Sequence, residues 1–105
     1  MTEPVKLLLM FVNETDTWHG TPLYEAIVHR LRQLTVAGAT VKSGIIGFGH
    51  HIRPGHKGPF GMSDDRPVTI AAVDEEKRIR AAVPELRKMT HEALILLLDA
   101  ELVAD

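Results

Sequence analysis

The groups that could do chemistry are concentrated in one glycine-rich segment. The segment runs from Gly44 to Pro67 and holds six of the eight glycines and three of the six histidines in the chain. Five of its basic residues lie close together, at His50, His51, Arg53, His56 and Lys57. Imidazoles titrate near neutral pH and bind divalent metals, and the whole set carries charge that attracts phosphates and carboxylates. Two chemistries are therefore open: an anion site, and a metal site made of His50, His51 and His56.

A glycine pair near the start of this segment favours the anion site over the metal site. Gly47, Phe48 and Gly49 follow the stretch ATVKSGII at residues 39–46, which predicts a strand. Free amides at the exit of a strand, together with the Thr40 hydroxyl, can hold an anion. The pair is not a dinucleotide fingerprint, because Ile52 stands where a third glycine would be. The alternative is that the glycines only let the chain leave the sheet.

Composition excludes several other classes of function. The chain has no cysteine, which removes disulfides and thiol catalysis. Its formal net charge of -2 at pH 7 offers no general attraction for nucleic acid. The longest apolar runs, at residues 7–12 and 93–98, are too short to cross a bilayer, and the N-terminus lacks a signal pattern. We therefore expect a cytoplasmic protein without membrane insertion, and no enzyme, because the motifs supply no nucleophile and base pair.

The elements that must position these residues follow from hydrophobic periodicity and end signals. Thr21 and Pro22 predict the start of an amphipathic helix, and Asp74 the start of a second helix that Pro84 should kink or split. Buried strands are predicted at residues 6–12, 39–46, 67–73 and 93–103. The order βαββαβ predicts one α+β domain over residues 1–105 with a ferredoxin-like fold, an antiparallel sheet with both helices on one face.

The first and last strands are apolar at every position. Residues 7–12 read LLLMFV and residues 94–98 read LILLL, without the alternation expected of a sheet with one wet face. Both faces of the sheet should therefore be buried. A homo-oligomer that packs sheet against sheet satisfies this requirement.

The run from Thr21 to Gly49 resembles the PII-like signalling proteins, long catalogued as a domain of unknown function, and more distantly the nitrogen-regulatory PII proteins. The similarity lies in a helix ending near Leu34, then Gly38, Thr40 and Val41, then Gly-Phe-Gly at 47–49. The WHG at 18–20 and the DDRPVTI at 64–70 also resemble that family, so the similarity covers nearly the whole chain.

This resemblance implies a homotrimer with a long flexible loop, the T-loop of PII proteins, here about residues 50–65. It implies that a small anionic effector, such as ATP, ADP or AMP, binds in clefts between subunits and that the loop regulates a partner, a transporter or an enzyme. The residues expected to bind the ligand are Gly38, Thr40, Gly47, Phe48, Gly49, His50 and Arg53. The residues expected to meet the partner are His51, His56, Lys57, Phe60 and Met62.

The sequence departs from the nitrogen-regulatory PII pattern at one functional turn. Those proteins carry a second glycine-rich phosphate-binding turn before the last strand, whereas residues 88–98 here read KMTHEALILLL. Tyr24, the only tyrosine, lies in the predicted first helix, so the resemblance offers no loop tyrosine for modification.

Overall fold

The structure is a computed structural model that describes residues 2–44 and 66–103. In chain order, this part of the protein forms β1 (Thr2–Asn13), β2 (Thr17–Trp18), β3 (Thr21–Pro22), α1 (Leu23–Gln33), β4 (Gly38–Ser43), β5 (Pro67–Asp74), α2 (Glu76–Met89) and β6 (Leu94–Val103).

Four strands form one antiparallel sheet in the order β4-β5-β1-β6. The connection from β1 through α1 to β4 passes over β5, and the connection from β5 through α2 to β6 passes over β1. This is the split βαβ arrangement, so the predicted ferredoxin-like α+β fold is confirmed.

One face of the sheet and the inner sides of both helices form the core. Along β1, Leu8, Met10 and Val12 are buried, while the residues between them are only half-buried. Such alternation places every second side chain under the helices. The buried core cluster is Leu8, Met10, Val12, Leu23, Ile27, Leu31, Val68, Ile70, Ala72, Ile79, Ala82, Leu86 and Ala93.

Helix α1 begins and ends differently from the sequence expectation. Its N-cap is Pro22 rather than Thr21, and no side chain of the described residues caps it. At its other end Thr35 adopts a left-handed φ of 60°, with Thr35 N donating to Arg32 O and Val36 N to Leu31 O. These two bonds form a Schellman motif, which ends the helix after Gln33.

Helix α2 begins beside a carboxylate that also binds the connection between α1 and β4. The Asp74 side chain accepts hydrogen bonds from Glu75 N at 2.7 Å and from Ala37 N at 3.0 Å. The helix then continues from Glu76 through Pro84 to Met89, so the proline does not split it. No helix in residues 2–44 or 66–103 is long and apolar enough to cross a membrane.

A small hairpin between β1 and α1 was not predicted from the sequence. Strands β2 and β3 pair through Trp18 and Thr21, and the two residues between them, His19 and Gly20, have φ of 50° and 81°. Two positive φ values are typical of the tightest hairpin turns. This β2–β3 hairpin places Trp18 beside the helix layer.

The face of the sheet opposite the helices is apolar and open in the described chain. On β6, Leu94, Leu96 and Leu98 are 42%, 41% and 41% exposed. Register pairs them across β1 with Phe11, Leu9 and Leu7, which are half-buried. We call these six residues the open-face cluster.

Candidate functional site

The two ends of the glycine-rich segment are fixed side by side at one end of the sheet. Ser43 pairs with Val68 in register, and Gly44 N donates a hydrogen bond to Pro67 O at 2.6 Å. Nearby, Glu14 N donates to Arg66 O at 2.9 Å. These bonds join β4, β5 and the end of β1, and we call Gly44, Arg66 and Pro67 the loop root.

Position 44 has room only for a glycine, because Pro67 occupies the space that a side chain would fill. A Cβ built on Gly44 would lie 2.6 Å from Pro67 Cγ and 3.2 Å from Pro67 O. The first separation is shorter than any real contact of two carbon atoms, so a larger residue would force the two chain segments apart. The loop root therefore depends on close approach of the backbone at Gly44.

Two of the predicted ligand-binding residues, Gly38 and Thr40, lie on the edge strand β4 rather than in a turn. Gly38 pairs with Val73 and Thr40 with Ala71, and both are exposed. Directly paired residues share a face, so Thr40 lies on the same face as Ala71 and its further partner Leu9. The Thr40 hydroxyl is thus on the open face of the sheet, not on the helix side.

A single subunit does not bring these residues to the loop root. Gly38 and Gly44 are six residues apart on the chain, which corresponds to roughly 20 Å along an extended strand. Thr40 is closer, at roughly 13 Å by the same spacing. A site that uses both Gly38 and the loop root therefore needs a second subunit or a ligand that reaches along β4.

The remaining predicted site residues lie outside the described residues. They are Gly47, Phe48, Gly49, His50, His51, Arg53, His56, Lys57, Phe60 and Met62. Their assignments to ligand, partner and metal stay predictions. Within residues 2–44 and 66–103, no group of three or more His, Cys, Asp or Glu side chains could hold a metal ion.

Sequence reasoning missed two basic residues at the loop root. Lys42 is exposed and pairs with Thr69, which in turn pairs with Phe11, so it lies on the open face near Gly44. Arg66 is exposed and belongs to the loop root itself. In the sequence Lys42 lies two residues before the glycine-rich segment and Arg66 lies at its end, and this proximity was the signal that could have found them. Together they give this end of the sheet positive charge that suits an anion.

The turn before β6 lies at the same end of the sheet and is held by an arginine. Arg87 Nη1 donates to Ala93 O at 2.7 Å and to His91 O at 3.3 Å. The turn thus presents carbonyl groups to a cation of its own chain, whereas a phosphate-binding turn presents amides. This geometry agrees with the missing glycines of residues 88–98.

Comparisons with known proteins identify a family over nearly the whole chain. Residues 5–102 match the DUF190 family, which is described as "Uncharacterized ACR". A UPF0166 protein of Aquifex aeolicus is 35% identical over 100 residues, covering 93% of this chain and 92% of the relative. A second UPF0166 protein, of Methanocaldococcus jannaschii, is 32% identical over 96 residues, covering 90% of this chain and 87% of the relative.

Among solved structures, the chain is similar to CPII, a nitrogen regulatory PII-like protein from Thiomonas intermedia K12. The TM-score is 0.72 at 18% identity, covering 99% of this chain and 93% of CPII, which in that structure is bound to ADP, AMP and acetate. At this identity the likeness establishes the fold. The chain therefore belongs to the DUF190 family, and it has the fold of the PII-like proteins that its sequence motifs resemble.

Proposed function

We propose that this protein is a PII-like regulator that binds an adenine nucleotide between the subunits of a homotrimer. The observation that carries the proposal is the fold shared with CPII over 99% of the chain, because the CPII structure holds ADP and AMP. Regulation of a partner protein, a transporter or an enzyme, is proposed to run through the predicted loop at residues 50–65. The role is regulatory rather than catalytic, and we place it in the cytoplasm.

The open-face cluster supports assembly of subunits. Its three leucines on β6 are more than 40% exposed in one chain, although a buried leucine contributes about 1.5–3 kcal/mol relative to an exposed one. Packing the sheets of three subunits against one another would remove this surface from water. The same packing would place β4 of one subunit, with Gly38 and Thr40, near a neighbouring subunit.

The charges at the loop root support an anionic ligand. Arg66 belongs to the root and Lys42 lies two residues before Gly44, while His50 and Arg53 are the predicted contributions of the segment beyond the root. With no glycine-rich turn before β6, these side chains would have to bind the phosphates that backbone amides bind in nitrogen-regulatory PII proteins. Guanidinium and ammonium groups are strong phosphate donors. Phe60 and Met62 are then the apolar anchors for the partner.

Calorimetric titration of the purified protein with ATP, ADP and AMP, and with cyclic dinucleotides as comparison ligands, tests the proposal. We expect saturable binding of an adenine nucleotide, weakened about tenfold in a Lys42→Gln variant through loss of a charge-assisted bond. Lys77→Gln, an exposed lysine of α2 far from the loop root, is the matched control. Absence of saturable binding by every nucleotide would refute the nucleotide role.

The rival hypothesis is a divalent metal-binding trimer that uses His50, His51 and His56. It rests on the sequence pattern alone, because all three residues lie outside the described chain. Replacing the three histidines with alanine separates the two hypotheses. Nucleotide binding should largely survive this change if the nucleotide role is correct, whereas zinc or nickel binding should disappear if the metal role is correct.

A further inference from the structure

A groove of about 450 Å³ lies between the two helices and the β2–β3 hairpin, on the helix side of the sheet. Its walls come from one side of α1, from the C-terminal half of α2, and from the hairpin. Thr40 lies on the opposite side of the sheet, so this groove is distinct from the proposed nucleotide site. Its size falls within the range of small-molecule sites, roughly 300–1,000 Å³.

The floor of the groove is apolar, and one of its walls is a flat aromatic ring. Ala26 and Met89 contribute aliphatic surface, and Trp18 contributes its indole. The imidazole of His19 stacks on that indole, with ring centroids 3.9 Å apart and planes 7° from parallel. The stacking supports the indole in one orientation, so the wall is formed before any ligand arrives. A flat apolar wall favours a ligand with an aromatic body.

The rim of the groove carries more positive than negative charge. Glu85 accepts a bond from Arg30 Nη2 at 2.5 Å and forms an ion pair with Lys88 Nζ at 2.8 Å. Lys88 and then Arg30 hold the pKa of Glu85 below its ordinary value, so this carboxylate is ionised at neutral pH. Two cations thus share one carboxylate, and the imidazole of His29 lies beside them.

Lys88 is the rim cation that a ligand can recruit. Its side chain is 75% exposed, whereas that of Glu85 is 24% exposed. An exposed ion pair contributes little net free energy, so the ammonium can turn from Glu85 to a ligand at small cost. Arg30 can continue to neutralise Glu85 when this happens, because the two remain bonded.

We infer that this groove binds a small aromatic carboxylate. The aromatic body lies against Trp18 and Met89, and the carboxylate lies at the rim beside Lys88 and His29. The ligand is thus recognised by an apolar floor and a cationic rim together. Neither a purely apolar molecule nor a small inorganic anion satisfies both surfaces.

Phenylacetate is the probe for this inference, and phenylethanol is its uncharged counterpart. The chain has one tryptophan, so the indole N–H signal of Trp18 in an NMR spectrum reports the groove without ambiguity. We expect phenylacetate to shift this signal saturably and phenylethanol to bind more weakly. Lys88→Gln should weaken phenylacetate binding about fivefold, the size of a lost exposed charge contact.

Lys77→Gln makes the same chemical change on an exposed lysine of the same helix, outside the groove, and should leave the affinity unchanged. Because Lys88 is largely exposed, its variant should retain the fold, which circular dichroism verifies. Three outcomes would overturn the inference. They are no saturable shift of the Trp18 signal, equal binding of phenylethanol, or equal loss in the two lysine variants.

Discussion

Gly44 shows how a residue identified by composition acquires a particular role from its neighbours. In the sequence it is the first of six glycines in one segment, with nothing to distinguish it from the other five. In the structure its amide bonds Pro67 O, and its missing Cβ leaves the space that Pro67 Cγ occupies. Gly38, in contrast, has no heavy atom of the described residues within 4 Å of its Cβ position.

Replacing Gly44 with alanine should therefore destabilise the protein by about 1–3 kcal/mol, the usual cost of forcing an extra methyl group into a packed site. Urea denaturation measures the change. Gly38→Ala is the matched control and should cost nothing or stabilise slightly, because its Cβ meets open space. Equal destabilisation by the two variants would contradict the close packing at the loop root.

At the scale of elements, Lys6 joins β1, β6 and α2 at the end of the sheet opposite the loop root. It is buried in β1, and its ammonium bonds Asp99 of β6 and forms a longer ion pair, 3.6 Å, with Glu76 of α2. The bond to Asp99 raises the pKa of Lys6 above 10.5, and the bond from Lys6 lowers the pKa of Asp99 below 3.8. The pKa of Glu76 is also lowered, first by Arg80 and then by Lys6.

These shifts define the pH range in which the junction stabilises the fold. A carboxyl group with a lowered folded pKa contributes stability above its unfolded pKa and loses it as pH falls through the folded pKa. Lys6 has a raised folded pKa, so its contribution is complete below its unfolded pKa and is lost as pH rises through the folded value. The junction should thus stabilise the protein across neutral pH and weaken in strong acid.

Replacing Asp99 with asparagine should lower the melting temperature at pH 7, and the difference from the wild type should disappear as pH falls through the folded pKa of Asp99, which lies below the ordinary value of 3.8. Thermal unfolding across this pH range measures it. Glu101→Gln makes the same acid-to-amide change on an exposed residue of β6 and should behave like the wild type. A pH-independent difference for Asp99→Asn would contradict the assignment.

At the scale of the whole molecule, one face of the sheet is covered within the subunit and the other is not. The helix side is closed by α1 and α2, but the open-face cluster has no cover among the described residues. The proposed trimer provides that cover. The cluster contains no charged residue, so introducing a charge there is the most direct test of assembly.

Leu96→Glu should dissociate the proposed trimer, because three carboxylates would be buried together in the sheet-to-sheet contact. Light scattering after size exclusion should give three times the chain mass of 11.6 kDa for the wild type and a single chain for the variant. Ala81→Glu, which adds the same charge to the exposed surface of α2, should remain a trimer. A wild-type protein that is already a single chain would refute the trimer.

Most of the element order could be predicted because it depends on local patterns. The apolar run at residues 6–12 indicated β1, and the helical spacing of Leu23, Ile27 and Leu31 indicated α1. The β2–β3 hairpin was missed because its strands are two residues long, too short to show a period. Thr21 pairs with Trp18 in that hairpin, and this pairing explains why the expected cap of α1 moved to Pro22.

The sequence by itself determined the order of strands and helices, the apolar character of both sheet faces and the family. Only the tertiary structure decided the strand register, which pairs Lys42 with Thr69 and places it on the open face. It also decided the groove, whose residues are up to 71 positions apart, between Trp18 and Met89. The physical reason is that periodicity is a local property of the chain, whereas register and grooves arise from contacts between distant segments.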